Sequence, residues 1–270
     1  MKFSVITWNI NSVRLRLPIV EQLLNEYSPD VLCLQETKCP NGQFPLGAFR
    51  KLGYEHIVIN GQPGYHGVAT LSRHPIEIDH CREFCNKGDT RHAAITIASP
   101  SGPVTIHNFY VPAGGDEPNP KINEKFAHKL TFLNEMTQWF EEDKTHNQNM
   151  ILVGDLNIAP LETDVWSHKK LLKVVSHTAV EIEHLDKVQA SRGWSDVIRK
   201  HIPAEETLFT WWSYRAKDWK TADKGRRLDH IWVTPALTDK SYQVEVLKDV
   251  RGWDRPSDHA PVLAKFDLGN

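Results

Sequence analysis

Short apolar runs bounded by Gly, Pro, Asn and Ser recur along the whole chain, as is typical of β-strands. The pattern predicts strands over Val5–Ile10, Val31–Gln35, Val68–Leu71, Ala93–Ala98, Val104–Val111, Met150–Val153, Leu228–Val233, Val244–Leu247 and Pro261–Phe266. Apolar residues at helical spacing predict helices over about Asn123 to Lys144, Leu15 to Tyr27 and Val165 to Val175. Many strands with a few helices between them indicate an α/β protein with two packed sheets and helices on the outer faces.

Regular strand–helix alternation is missing from the pattern, which disfavours a doubly wound dinucleotide-binding fold. The glycines Gly61, Gly64 and Gly67 have the wrong spacing for a phosphate-binding fingerprint and are interpreted as a loop. No linker or change of composition divides the chain, so we predict one domain over residues 1–270.

Polar side chains cluster at the ends of several predicted strands. Asn9 and Asn11 close the first strand, Glu36 follows the second, and Asp155 and Asn157 follow Met150–Val153. If the strands lie side by side, these clusters meet at one rim. The residues expected there are Asn9, Asn11, Glu36, Tyr110, Asp155, Asn157, Asp229, Asp258 and His259.

Such a set suits the hydrolysis of a phosphate diester. Oxygen ligands such as Glu36 and Asp258, with amide oxygens and water, suit Mg²⁺ or Mn²⁺ better than zinc. A bound divalent ion offsets the negative charge that develops on the phosphoryl group. A carboxylate such as Asp155 can orient or deprotonate the attacking water, and a histidine held by a carboxylate can stay protonated and donate to a phosphate oxygen.

Each of these residues also has an ordinary structural interpretation. Asp155-Leu156-Asn157 can be a simple turn, Glu36 a surface residue, and Tyr110 a core aromatic with a satisfied hydroxyl. Their joint occurrence favours a site, because chance would rarely place polar groups at so many strand ends.

The charge of the chain limits how it can bind a polyanion. The formal net charge is −2, so a protein that grips nucleic acid over its whole surface is excluded. A local patch remains: between Arg215 and Arg227 six basic residues stand against two acidic ones. The segment is interpreted either as a phosphate-binding patch or as a solvated loop with incidental lysines.

The four cysteines are too few for a disulfide framework in a chain of 270 residues. Cys33 lies in an apolar run and is expected in the core, and Cys81 and Cys85 lack the second pair that a structural zinc site needs. The N-terminal residues form a strand-like run without a charged leader, and no segment is long enough to cross a bilayer. We expect a reduced, cytoplasmic protein.

At the polar clusters the sequence resembles the exonuclease III family of abasic-site endonucleases, within the endonuclease/exonuclease/phosphatase superfamily. The matching segments occur in family order from the first strand to the last. They are Thr7-Trp8-Asn9-Ile10-Asn11-Ser12-Val13-Arg14, Leu34-Gln35-Glu36-Thr37-Lys38, Asn108-Phe109-Tyr110-Val111-Pro112, Gly154-Asp155-Leu156-Asn157-Ile158-Ala159-Pro160, Arg227-Leu228-Asp229-His230 and Pro256-Ser257-Asp258-His259-Ala260-Pro261-Val262.

The resemblance implies a four-layer α/β sandwich of the deoxyribonuclease-I type, with two mixed sheets flanked by helices. It implies hydrolysis on the 5′ side of an abasic site to leave a 3′ hydroxyl, with 3′→5′ exonuclease and 3′-phosphatase or phosphodiesterase activities on double-stranded DNA. Carried over by residue, Glu36 binds Mg²⁺ or Mn²⁺, and the ion's other ligands come from Asn9, Asn11, Asp155, Asn157 and Asp258. Asp155 activates the water, Asn157 orients it, and His259, paired with Asp229, contacts the phosphate together with Tyr110.

The resemblance also implies a small apolar pocket for the abasic sugar. Trp211 and Leu228 match pocket positions, whereas Trp212 is expected in the core. The residues expected to bind the substrate are Trp211, Leu228, Arg215, Lys217, Lys220, Lys224 and Arg226. Two departures from the family pattern stand beside the site: Ala113 replaces a usual side-chain amide, and Arg226 a usual aromatic or aliphatic residue.

The expected partner is double-stranded DNA with abasic sites or 3′ ends, and the expected state is a monomer. Two alternatives remain at this stage. The first is a phosphodiesterase of the same superfamily that acts on RNA, phosphoinositides or phospholipids. The second is a binding module that kept the fold without catalysis, which would be expected to have lost part of the polar set.

Overall fold

The computed structural model describes residues 1–143, 149–216 and 218–269. Within them the strands are β1 (Lys2–Asn9), β2 (Val31–Gln35), β3 (His56–Asn60), β4 (Val68–Ser72), β5 (Ile78–His80), β6 (His92–Ile97), β7 (Val104–Tyr110), β8 (Met150–Asp155), β9 (Ser195–Asp196), β10 (Trp211–Trp212), β11 (Gly225–Arg226), β12 (Asp229–Val233), β13 (Ser241–Val246) and β14 (Val262–Asp267). The helices are α1 (Leu17–Tyr27), α2 (Leu46–Lys51), α3 (Glu124–Glu142), α4 (His168–Leu171), α5 (Ala179–Ser191), α6 (Val197–His201), α7 (Trp219–Ala222) and α8 (Pro235–Thr238).

The strands form two six-stranded mixed sheets and one short two-stranded ribbon. The first sheet has the order β13-β14-β1-β2-β4-β3, the second β5-β6-β7-β8-β12-β9, and the ribbon pairs β10 with β11. Each large sheet contains one parallel pair, β1 with β2 and β7 with β8, and its remaining pairs are antiparallel. Because parallel neighbours end at the same edge, the carboxyl ends of each pair lie together.

The two sheets pack face to face, and helices cover their outer faces. Phe3 and Val5 of β1 share a buried cluster with Ile151 of β8, so this core lies between the sheets. Trp8, on the opposite face of β1, packs in a second cluster with Leu23 of α1. A third cluster joins residues of α3 and α5 to the outer face of β8. These layers form the predicted four-layer α/β sandwich, which is confirmed.

The predicted helix over Val165 to Val175 is wrong. Only α4 forms there, because Val165 bridges to Arg226 in extended conformation and Leu171 packs in a small cluster with Leu228. Helix α5 was not predicted, since its sequence is mostly polar, and strands β3, β5 and β9 were not predicted either. Among the residues that the structure describes, no helix has the length and apolar character needed to span a bilayer.

Candidate active site

Strand pairing brings the predicted site residues to one rim of the sandwich. In the parallel pair β7/β8, Tyr110 lies opposite Asp155, and in the antiparallel pair β8/β12, Asp155 lies opposite Asp229. In the first sheet Asn9 lies opposite Gln35, so Glu36 follows directly at the same edge. The clusters expected to converge therefore do lie together, and the roles assigned to them stay predictions.

Glu36 accepts hydrogen bonds from both sheets. Its Oε1 accepts from Asn9 Nδ2 at 2.9 Å and from the Tyr110 hydroxyl at 2.8 Å, and its Oε2 pairs with Lys38 Nζ at 2.9 Å. Burial alone would raise the pKa of Glu36, but the Lys38 ammonium and these donors outweigh burial and lower the pKa. Glu36 is therefore an ionised carboxylate at neutral pH.

Asp155 is the most deeply buried carboxylate that faces Glu36, with 1% of its surface exposed. Asn9 Nδ2 donates to its Oδ2 at 2.9 Å, so one amide bridges Glu36 and Asp155. Burial raises the pKa of Asp155 to about 7, although the positive charge of His259 opposes the rise. A carboxylate with this pKa can exchange a proton near neutral pH.

Asn157 is fixed beside Asp155 in a left-handed backbone conformation with φ of 56°. Its backbone N–H donates to Asp155 Oδ1 at 3.0 Å, and its Nδ2 donates to Val111 O at 2.9 Å and to Asp155 Oδ2 at 3.2 Å. Because Nδ2 is occupied in this way, Oδ1 is the side-chain atom that Asn157 can offer to a water or an ion in the cleft.

His259 forms a buried pair with Asp229. Its Nδ1 donates to Asp229 Oδ2 at 2.9 Å, and its Nε2 lies 3.7 Å from Asp155 Oδ2. Burial alone would lower the pKa of His259, but the carboxylates of Asp229 and Asp155 outweigh it and raise the pKa to about 10. Thr210 Oγ1 donates to Asp229 Oδ2 at 2.6 Å and keeps that carboxylate in place. His259 is thus an imidazolium at neutral pH.

Tyr110 and Asp258 complete the rim. Burial and the nearby charge of Glu36 raise the pKa of Tyr110 well above its usual value, so the phenol stays protonated and keeps its O–H as a hydrogen-bond donor. Asp258 accepts from Asn11 Nδ2 at 3.2 Å and from Trp211 Nε1 at 3.0 Å. Since Lys38 Nζ donates to Asn11 Oδ1 at 2.6 Å, hydrogen bonds connect Glu36 to Asp258 without a break.

In the described part of the rim, two sets of side chains could hold a metal ion. Asp155, Asp229 and His259 place one ligand atom each within 4.8 Å of one another. His259 Nδ1 is already engaged with Asp229 Oδ2, however, and an imidazole nitrogen suits a hard divalent cation less well than oxygen ligands do. We therefore favour the oxygen set of Glu36 and its neighbours, whose ionised carboxylate and amide oxygens fit a hard divalent cation.

A cleft of about 430 Å³ opens onto these groups. Glu36, Asp155 and His259 line it, together with Trp211 and Leu228, the two predicted pocket residues. Trp212 is 1% exposed and packs against Phe209, as expected of a core residue.

The side chains of the predicted basic segment do not all lie at the cleft. Arg215 and Arg226 line the cleft, whereas Lys220 and Lys224 are exposed outside it, and Lys217 lies outside the described residues. Arg227, which the sequence counted with this patch, is not available to a phosphate. It is 1% exposed and pairs with Asp164 and Asp196, so the patch is less basic than the sequence indicated.

Sequence reasoning did not assign roles to two residues that the geometry places in the site. Lys38 lies in the quoted motif, directly after Glu36-Thr37, and its spacing to Glu36 was the available signal. Thr210 gave no signal, because its bond to Asp229 forms only when the ribbon folds against β12.

The sandwich and its rim of carboxylates, amides and one charged histidine define the class of two-sheet hydrolases that act on phosphate esters. Residues 6–259 match the family model described as "Endonuclease/Exonuclease/phosphatase family". The chain belongs to this family, and the resemblance to its exonuclease III members is confirmed.

Similar proteins cover almost the whole chain. Exodeoxyribonuclease III of Haemophilus influenzae is 31% identical over 98% of this chain and 100% of its own length. A 3′ phosphatase from Neisseria, solved bound to a product DNA hairpin, is 31% identical with a TM-score of 0.89 over 98% of this chain and 99% of that one. An AP endonuclease from Archaeoglobus fulgidus is 32% identical with a TM-score of 0.90 over 98% of this chain and 100% of that one.

Proposed function

We propose that the chain is a DNA-repair phosphodiesterase. It cleaves 5′ to abasic sites to leave a 3′ hydroxyl, and it has 3′→5′ exonuclease and 3′-phosphatase or phosphodiesterase activity on double-stranded DNA. One observation carries the proposal: a proton acceptor, Asp155, and a proton donor, His259, lie 3.7 Å apart beside the ionised Glu36. The activities named for the similar proteins support the same substrate.

Glu36 would hold the divalent ion, and further oxygen ligands would come from Asn9, Asn11, Asp155, Asn157 and Asp258. When bound, Mg²⁺ or Mn²⁺ would supply the positive charge that polarises the phosphoryl oxygen. The Asn157 amide oxygen orients the attacking water, and Asp155 accepts its proton. As the water oxygen bonds to phosphorus the P–O3′ bond breaks, and the departing 3′ oxygen takes a proton from solvent to give the 3′ hydroxyl. His259 donates from Nε2 to a phosphate oxygen, and Asp229 keeps it charged. The Tyr110 hydroxyl, which donates to Glu36 Oε1, would donate to the same phosphate only by exchanging that hydrogen bond.

The residues that line the cleft favour an abasic DNA substrate. A deoxyribose without a base loses little stacking when it leaves the helix, so a small apolar wall made by Trp211 and Leu228 can select it. We propose that Arg215 and Arg226, which line the cleft, and the exposed Lys220 and Lys224 contact backbone phosphates, and the same role is proposed for Lys217. Action as a monomer and a cytoplasmic location are part of the proposal, and the four free cysteines are compatible with a reducing compartment.

A duplex that carries one abasic analogue tests this proposal. In Mg²⁺ the strand should be cut on the 5′ side of the analogue, and EDTA should stop the reaction. Asp155→Asn or His259→Asn should lower turnover by about 10²–10⁴ with the fold intact, whereas Asp239→Asn, at a carboxylate 96% exposed, should not. An RNA duplex and a phosphoinositide serve as competing substrates. Faster turnover of either, or an intact abasic strand, would reject the repair assignment.

A further inference from the structure

Helix α3 carries a lysine that is completely buried. Lys129 is 0% exposed, and its Nζ donates to Glu181 Oε1 at 2.5 Å, to Asn157 O at 2.8 Å and to Ala113 O at 3.3 Å. Three acceptors match the three hydrogens of an ammonium group, so its donors are all used.

The partner carboxylate holds a third segment. Glu181 lies in the first turn of α5 and is also 0% exposed. Its oxygens accept from the backbone N–H of Ser176 at 2.9 Å and from the backbone N–H and hydroxyl of Thr178 at 3.1 and 2.6 Å. The ion pair therefore ties α3 and α5 to the segment that precedes α5.

The segments that Lys129 and Glu181 contact lie next to the candidate active site. Ala113 follows Tyr110 after β7, and Asn157 follows Asp155 after β8. The segment that Glu181 holds accepts from Arg226, which donates to Val175 O at 2.8 Å and to Ser176 Oγ at 2.6 Å. The pair thus contacts the backbone behind the proposed water-orienting amide and behind one wall of the cleft.

Stability does not explain why such a pair is kept. Removing two charges from water costs about as much as their attraction returns, and well-packed apolar side chains often serve as well or better. Geometry does provide a reason. The N–H and the side-chain Nδ2 of Asn157 are fixed by Asp155 and Val111, and its backbone carbonyl is fixed by Lys129.

We propose that Lys129, held by Glu181, is a positioning residue that fixes the backbone at Asn157 and Ala113 and so aligns the Asn157 amide with Asp155. The inference deepens the proposed function and rests on it. A displacement of a catalytic group by about 1 Å can lower a rate about 100-fold, so loss of this contact should act on turnover rather than on DNA binding.

The test uses a charge-neutral pair. Lys129→Met alone leaves a buried carboxylate uncompensated and can prevent folding. The double variant Lys129→Met/Glu181→Gln removes both charges and keeps an acceptor for Ser176 and Thr178. Lys187→Met is the matched control, because Lys187 pairs at 2.8 Å with Glu183 on the exposed side of the same helix α5.

Circular dichroism and thermal unfolding should show the double variant folded. Its kcat on the abasic duplex should fall about 100-fold with KM nearly unchanged, and Lys187→Met should behave as wild type. In an Asn157→Ala background the double substitution should lower kcat little further, because both changes act through the Asn157 side chain.

A folded double variant with wild-type kcat would overturn the inference, and so would a loss that adds fully to that of Asn157→Ala. If the double variant does not fold, Glu181→Gln alone provides the test, because it weakens the contact that holds Lys129 without removing the lysine. A reduced kcat at unchanged KM supports the positioning role, and a wild-type kcat rejects it. A wild-type chain that leaves the abasic duplex intact refutes the proposed function instead, so the two failures can be told apart.

Discussion

Asp229 is the residue whose change tests the chemistry of the site most directly. Replacing it with asparagine keeps the size of the side chain and removes the charge that faces His259 Nδ1 at 2.9 Å. Thr210 can still donate to the asparagine oxygen, so the local structure should persist. The change therefore separates the charge of Asp229 from its packing.

The pKa of His259 sets the magnitude of the effect. Its rise from 6.5 to about 10 corresponds to about 5 kcal/mol in favour of the imidazolium, at about 1.4 kcal/mol per pH unit. Of the charges that raise this pKa, Asp229 contributes most, and burial opposes it. Without Asp229 we expect the pKa of His259 to fall, because only Asp155 and Asp258 then remain to offset burial.

The sign of the pH dependence follows from the raised pKa. A histidine of this kind stays protonated below its folded-state pKa and loses its proton as pH rises through that value. Wild-type turnover should therefore persist until the pH approaches about 10, whereas Asp229→Asn should lose turnover at a lower pH. At alkaline pH the loss should reach about 10²–10⁴, the usual contribution of a positioned proton donor.

The assay is the pH profile of kcat on the abasic duplex, with the His259 ring proton followed by NMR and assigned with His259→Asn. Asp30→Asn is the control, since Asp30 pairs with His74 at 2.7 Å on the same sandwich but directly before β2, at the end of the strand opposite the rim. If Asp229→Asn keeps the alkaline limb of the wild type, His259 is not the proton donor and the mechanism is wrong.

Three further predictions concern binding, selectivity and stability. Lys220→Gln and Lys224→Gln should each reduce the slope of log K against log salt by about 1 in a filter-binding titration; an unchanged slope would leave both lysines outside the interface. Trp211→Ala should reduce the preference for abasic over intact duplex, measured as a ratio of kcat/KM, and an unaltered ratio would remove Trp211 from the pocket. Burial lowers the pKa of His107 to about 3, so the unfolded chain binds its proton first and stability falls as pH drops below about 6.5. His107→Gln should therefore remove up to about 1.4 kcal/mol per pH unit from that fall in urea unfolding, and an equal acid sensitivity would contradict the assigned pKa.

Much of the rim could be predicted from sequence because it depends on where strands end. A buried strand is mostly apolar, so Asn9, Glu36 and Asp155 stand out as polar residues at or just after the ends of mostly apolar runs. Parallel pairing then brings such ends together without further information. The other contacts of the rim depend on which strands are neighbours and on their register. Tyr110, Asp155 and Asp229 lie opposite one another only because β7, β8 and β12 are neighbours.

Contacts that depend on the packed tertiary structure were beyond the sequence. In the sequence Arg227 belongs to a basic segment, and only the fold shows that it pairs with Asp164 and Asp196. Lys129 reads as a polar position of an amphipathic helix, although it is fully buried. Helix α5 does carry a local signal in its sequence, because Thr178 and Glu181 form a capping box at its N-terminus.

The site also requires that the two sheets keep a fixed position relative to each other. Asn9 belongs to the first sheet and Asp155 to the second, so the amide that joins them would lose its contact if one sheet slid along the other. Directly behind the rim, Gln35 Nε2 of the first sheet donates to Asn108 Oδ1 of the second at 2.7 Å, and Asn108 Nδ2 donates back to Leu34 O at 3.2 Å. Apolar contacts between sheets tolerate small displacements, whereas buried hydrogen bonds leave polar groups unpaired when they break. The buried amides therefore set the alignment on which the Asn9 bridge depends, at a place where an apolar core would have allowed the two halves of the site to move apart.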